Sequence, residues 1–89
     1  MVTALYPGSF DPVTFGHMDI VNRASRLFDK VYIAVVDTRS KSLMFTTEER
    51  IEFCTEALSH LPNIEVISYT GLTVDVARRM GTDVMVRGL

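Results

Sequence analysis

The chain predicts an α/β fold, a parallel sheet of four strands with helices alternating between them. Three observations carry that expectation. Apolar runs of strand length alternate with helix-periodic segments along all 89 residues. The connections are short, which implies right-handed crossovers. One run, Lys30 to Val36, is apolar on both faces, as in a sheet covered on both sides.

Taken in order, Val2 to Tyr6 is a short apolar run stopped by Pro7, and it reads as a first strand. From His17 to Phe28 the residues Ile20, Val21, Ala24, Leu27 and Phe28 recur at helical spacing, opposite Asp19, Arg23 and Arg26. Lys30 to Val36 is the second strand. Asp37 to Phe45 lacks a period and reads as a loop. Thr46-Thr47-Glu48-Glu49 then fits a capping box, with Thr46 capping and Glu49 reaching back. The helix it opens carries Ile51, Cys54, Leu58 and Leu61 to the core, and Pro62 marks its end. Asn63 to Tyr69 alternates as a third strand. Gly71 turns the chain into a helix bearing Leu72, Val76, Ala77 and Met80, closed by Gly81 as a C-cap. Thr82 to Val86 is the fourth strand, followed by Arg87, Gly88 and Leu89.

The composition, with 47% apolar and 22% charged residues, is that of a small globular domain. A net charge of −2 gives no basic face for nucleic acid. No apolar run approaches the ~20 residues that span a bilayer. The N-terminus has no signal-peptide pattern, and the single Cys54 excludes a disulfide framework or a cysteine zinc cluster. A cytoplasmic protein is expected, without membrane or nucleic-acid partners. Cys54 itself reads as a core residue. His60 reads as a partner for a helix C-terminus, with nothing to support a His17–His60 metal site, and no metal site is predicted on the protein.

The stretch from Tyr6 to His17, YPGSFDPVTFGH, sits between the first strand and the first helix. It holds two prolines, two glycines, one acid and one histidine. Two glycines allow close backbone approach and unusual dihedrals. A loop opening onto a helix N-terminus can hold an anion with its free N–H groups and dipole. In a parallel sheet such ligand loops lie at the carboxyl ends of the strands, with 37–45, 69–73 and 87–89 beside it. The common phosphate signatures do not fit. The dinucleotide fingerprint needs three closely spaced glycines, the P-loop needs Gly-Lys, and the kinase and G-x-S-x-G patterns are absent. No activated nucleophile is evident. Asp11 is a possible metal ligand by type, but between Phe10 and Pro12 it can equally cap the turn.

The ending Thr14-Phe15-Gly16-His17 is a T-x-G-H motif. With Pro7-Gly8-Ser9-Phe10-Asp11-Pro12 before it, the chain resembles the nucleotidyltransferase superfamily, and within it the phosphopantetheine adenylyltransferase family. The resemblance extends through FDKV, SKSLMFTTEER, LPNIEV, GLTVDVAR and VRGL, to the end of the chain. It implies a Rossmann-like nucleotidyltransferase fold, incomplete relative to the family. The chain then corresponds to the N-terminal part of such a domain, ends within an R-G-L segment, and is not expected to be a competent enzyme alone. The implied reaction joins the adenylyl group of ATP to 4′-phosphopantetheine, giving dephospho-coenzyme A and pyrophosphate, with Mg²⁺ and without a covalent intermediate. A sister enzyme with another phosphate acceptor and a non-catalytic nucleotide-binding module are the alternatives. The family further implies a homo-oligomer, a hexamer.

The resemblance also assigns roles. His17 is implied as the transition-state stabiliser, beginning the first helix and donating to phosphate oxygens. Its charge would follow the ligand, because a helix N-terminus disfavours imidazolium and polyphosphate favours it. Lys41 is implied to neutralise phosphate between the two substrates. Ser9, Phe10, His17, Gly88 and Leu89 are implied to hold ATP. Ser9, Lys41, Thr73 and Arg87 are implied to hold 4′-phosphopantetheine, Thr73 through its backbone. Read without the motif, Ser9 is a turn serine, Lys41 a solvated loop lysine, and Arg87 half of an ion pair.

Overall fold

The computed structural model describes residues 1–37 and 43–87. Among these residues seven elements follow one another: β1 (Thr3–Gly8), α1 (Phe15–Leu27), β2 (Lys30–Val36), α2 (Thr47–Ala57), β3 (Ile64–Tyr69), α3 (Thr73–Met80) and β4 (Val84–Met85). The four strands form one sheet in the order β3-β2-β1-β4, and every pairing is parallel. The predicted α/β architecture is therefore the observed one. Successive strands step one way from β1 to β3, and β4 returns to the other side of β1. Strand order reverses there, and in open α/β sheets that reversal opens a crevice at the carboxyl ends.

Side chains alternate between two apolar layers. On one face Ala4, Tyr6, Val31, Ile33 and Val35 pack with Val21 and Ala24 of α1 and with Cys54 and Leu58. On the other, Leu5, Ala34 and Tyr69 pack with Val76 of α3, flanked by Ala77 and Met80. β2 thus buries both of its faces, as its continuous apolar run requires. Both expected helix signals on the second and third helices are present. Thr46 and Glu49 form the reciprocal capping box of α2, and Gly81 closes α3 in the left-handed region at φ +67°.

Several boundaries differ from expectation, each for a physical reason. β1 runs through Pro7 to Gly8. The carbonyls of Thr3 and Leu5 face β4, and Pro7 shares that side, beyond the last β4 register pair at Leu5 and Met85. The N–H that proline lacks has no partner strand to miss there. α1 begins at Phe15, before the apolar period starts, because Thr14 caps it. α2 ends at Ala57, with Leu58 as C-cap, although Leu58 remains in the core. β4 is only two residues long, while Asp83 and Val86 extend it by single hydrogen bonds to Thr3 and Leu5. Leu72 is not a core residue of α3. It is the N-cap, and 67% of its surface is exposed.

Candidate active site

Residues 9–14 connect β1 to α1 at the carboxyl edge. The left-handed backbone in this loop belongs to Phe10, at φ +49°, and not to the flanking Gly8 or Gly16. Phe10 turns its ring inward against Tyr6 and His17, with centroids 5.2 and 4.9 Å apart. Gly8 makes room for that ring: a Cβ on Gly8 would lie 3.1 Å from Phe10 Cε2. Gly16 lies inside α1, where a Cβ would make only an ordinary contact with Thr14 Oγ1. The backbone N–H of Phe10 has no acceptor among the described residues.

His17 is the third residue of α1, not its first. Its Nδ1 accepts from the Thr14 N–H at 3.0 Å, while the His17 N–H donates to Thr14 Oγ1 at 3.3 Å. The T-x-G-H motif is thus also a capping box, with histidine where glutamate usually stands. An imidazole accepting at Nδ1 is neutral and carries its proton on Nε2, an assignment made from the hydrogen-bond network. Nε2 has no partner among the described residues. Burial pushes the His17 pKa below its usual 6.5. Protonating Nδ1 would also break the capping bond, so both effects favour the neutral ring.

Two residues tie this loop to its neighbours. Asp11 accepts the N–H groups of Met44 and Phe45, at 2.6 and 2.8 Å, and so ties its loop to the segment before α2 instead of capping its own turn. Arg50 is fully buried in α2. Its Nη1 donates to Ser9 O at 2.8 Å and Val36 O at 2.9 Å, its Nε to Phe45 O, and its Nη2 to Thr47 Oγ1. Sequence reasoning missed Arg50, although a signal existed. It stands four and eight residues before Cys54 and Leu58, on the buried stripe, and near a helix N-terminus that disfavours cations. A charged residue in that position needs carbonyl partners.

Of the predicted site residues, the structure brings Ser9, Phe10 and His17 together on one loop and one helical turn. Ser9 is exposed and His17 half-buried. Arg87 follows β4, beside β1, where Val86 N–H bonds Leu5 O. It is exposed and forms no ion pair among the described residues. Thr73 opens α3 at the end of β3, farther along the same edge, and its hydroxyl bonds the Tyr69 hydroxyl at 3.2 Å. Lys41, Gly88 and Leu89 lie outside the described residues. Cys54 is buried, its thiol pushed up to about 11 by that burial, as a core cysteine should be. His60 lies past the end of α2 and pairs with Asn22 Oδ1. Among the described residues no helix is long and apolar enough to cross a membrane.

Residues 5–89 match the sequence profile of the cytidylyltransferase-like family. The chain belongs to that family. Curated relatives at about half identity are named phosphopantetheine adenylyltransferase. That of Roseiflexus sp. (strain RS-1) is 54% identical over all 89 residues, which cover 56% of its length. That of Synechococcus elongatus is 51% identical over 88 residues, 99% of this chain and 53% of the relative. That of Gloeobacter violaceus is 55% identical over 86 residues, 97% of this chain and 53% of the relative. The chain therefore spans about half the length of the curated relatives it matches. A solved structure titled a putative nicotinate-nucleotide adenylyltransferase from Vibrio parahaemolyticus superposes with a TM-score of 0.78 at 20% identity, covering 99% of this chain and 61% of that one. That likeness establishes a shared fold. The family membership and these relatives agree with the resemblance drawn from the T-x-G-H loop.

Proposed function

We propose that this chain forms part of a phosphopantetheine adenylyltransferase of coenzyme A synthesis. In this reading a phosphate oxygen of 4′-phosphopantetheine attacks the α-phosphorus of ATP, and the bond to the departing pyrophosphate breaks. The protein supplies alignment and charge stabilisation and no nucleophile. The observation that carries the reading is the T-x-G-H capping box itself. It clamps Nδ1 of His17, leaves Nε2–H as a fixed donor, and sets it one loop away from the Phe10 N–H, which has no acceptor among the described residues.

Both donors would meet ATP, and His17 would stabilise the charge that develops at the α-phosphate. Ser9 would contact both substrates, and Gly88 and Leu89 would hold ATP through their backbone. Lys41 and Arg87 would neutralise the acceptor phosphate, and Thr73 would meet the pantetheine arm through its backbone, since its hydroxyl is engaged with Tyr69. Magnesium enters as part of the MgATP substrate. The carboxylate of the loop, Asp11, already has both oxygens engaged by backbone N–H groups. A cytoplasmic setting and a homo-hexameric assembly accompany this reading, and sedimentation of the purified protein tests the assembly.

The direct test is pyrophosphate release from MgATP. It uses the chain as it stands and the chain extended by the carboxyl-terminal part of the Roseiflexus relative. The extended protein is expected to turn over with 4′-phosphopantetheine and not with glycerol phosphate or nicotinamide mononucleotide, while the 89 residues alone stay silent. Preference for another acceptor would replace this reading with a sister transferase. ATP binding without transfer to any acceptor would replace it with a nucleotide-binding module.

A further inference from the structure

The guanidinium of Arg50 lies behind the loop, and none of the site assignments above uses it. It touches three separate backbone segments: Ser9 after β1, Val36 at the end of β2, and Phe45 before α2. Among the described residues no carboxylate pairs with it directly. Asp37 reaches it only through Thr47, whose hydroxyl donates to Asp37 Oδ1 at 2.8 Å and accepts from Arg50 Nη2 at 3.0 Å. A guanidinium cannot shed its charge, and here it sits near the positive end of a helix. A methionine-sized apolar side chain would fill the same stripe without that difficulty. What the arginine adds is a rigid fork able to hold several carbonyls at once.

The consequence follows from the planarity of the peptide unit. In a trans peptide the carbonyl of one residue and the N–H of the next share a plane and point in opposite directions. The Ser9–Phe10 bond is trans, since among the described residues the cis peptide is at Asp11–Pro12. Holding Ser9 O inward on Arg50 therefore aims the Phe10 N–H outward, away from the guanidinium. That N–H has no acceptor among the described residues, in a residue only 2% exposed, and backbone donors without partners are rare in native interiors. We propose that Arg50 is the positioning residue of the anion loop, aiming the Phe10 N–H at a bound phosphate oxygen through the Ser9 carbonyl. This rests on the reading of the loop as a phosphate site, and it goes beyond that reading in assigning the loop's geometry to a residue on another element.

The test uses the extended protein described above, with Arg50→Met, which removes every donor, and Arg50→Lys, which keeps the charge but loses the fork. Cys54→Ala, on the same buried stripe, serves as the purely structural control. Folding is followed by circular dichroism, and kcat and KM by pyrophosphate release. Binding of inorganic tripolyphosphate is measured by calorimetry and the Phe10 amide by ¹⁵N NMR. Arg50→Met is expected to lower kcat about 100-fold, as misplacement of a site group does, with a smaller change in KM. Arg50→Lys should fall between it and the unsubstituted protein. Tripolyphosphate affinity should drop in step, with the Phe10 amide resonance displaced, while Cys54→Ala lowers stability and leaves kcat of the folded fraction unchanged.

A folded Arg50→Lys with unsubstituted kcat and tripolyphosphate affinity would overturn the proposal, and this variant decides the matter if Arg50→Met does not fold. If the unsubstituted protein transfers to no acceptor while Arg50→Lys still loses tripolyphosphate, the enzymatic reading fails and the role of Arg50 stands. If the unsubstituted protein leaves tripolyphosphate unbound, the phosphate loop is wrong and the proposal falls with it.

Discussion

His17 serves α1 through Nδ1, and its Nε2 has no partner among the described residues, so helix capping and the proposed phosphate recognition can be separated by substitution. Glutamine at this position restores the usual Thr-x-x-Gln box but removes the imidazole donor. His17→Gln should keep unfolding stability within about 0.5 kcal/mol. In the extended protein the same variant should lose adenylyl transfer by roughly 100-fold or more, the usual cost of one fixed donor to developing charge. Denaturant midpoints and pyrophosphate release check the two halves. A fully active His17→Gln would remove the histidine from the reaction.

Titration supplies a second residue-level prediction. The folded His17 pKa lies below its usual 6.5, so the unfolded chain binds more protons as pH falls past that value. This contribution to stability is complete above 6.5 and is lost as pH drops toward the folded pKa. Urea midpoints measured between neutral and mildly acidic pH should fall more steeply for the unsubstituted chain than for His17→Gln. Equal slopes would mean that His17 is not shifted. Tripolyphosphate should raise the His17 pKa in an NMR titration, because a bound anion favours imidazolium.

Among the elements, the β1–α1 connection depends on Gly8 through the Phe10 ring rather than through its own dihedrals. Phe10 is walled in by Tyr6 and His17, so a Cβ at Gly8, 3.1 Å from its ring, has nowhere to push it cheaply. Gly8→Ala should destabilise by about 1–3 kcal/mol, as overpacking does, and should displace the His17 ring with it. At the far end of α3, Gly81 is needed for its own backbone, at φ +67°. Gly81→Ala should cost about 1 kcal/mol while leaving phosphate binding untouched. Thermal unfolding with tripolyphosphate titration distinguishes the two glycines: only the first should change both.

For the molecule as a whole, sheet order decides where a ligand can lie. The reversal between β1 and β4 puts the 9–14 loop and Arg87 at the carboxyl ends of neighbouring strands. A separate cleft of about 340 Å³, lined by Leu58, Leu61, Ile64 and Val66, borders the beginning of β3 at the opposite end of the sheet. Tripolyphosphate should shift the amide resonances of Ser9, Phe10, His17 and Arg87 and leave those of Leu58, Ile64 and Val66 in place. Shifts clustered at the latter three would relocate the site.

The alternation of periods in the chain was sufficient for the parallel α/β class, because apolar faces must be buried and only this layering buries both sides of β2. Local signals were equally legible where they act locally: Thr46 with Glu49, Gly81 at the C-cap, and the T-x-G-H motif. Local signals failed where a neighbour from elsewhere in the chain set the outcome. Pro7 stays in its strand because β4 stops short of it, and Leu72 is exposed because it caps α3 instead of packing beneath it. Phe10, not a glycine, takes the left-handed backbone because Tyr6 and His17 receive its ring. Arg50 escaped notice because its partners are three carbonyls from separate segments, and main-chain acceptors leave no mark in a sequence. The amino-acid order by itself therefore determined the fold class, the caps and the T-x-G-H loop on which the proposed phosphate chemistry rests. Only the tertiary structure decided which group aims that loop, because the aiming is done by hydrogen bonds between residues far apart in the chain.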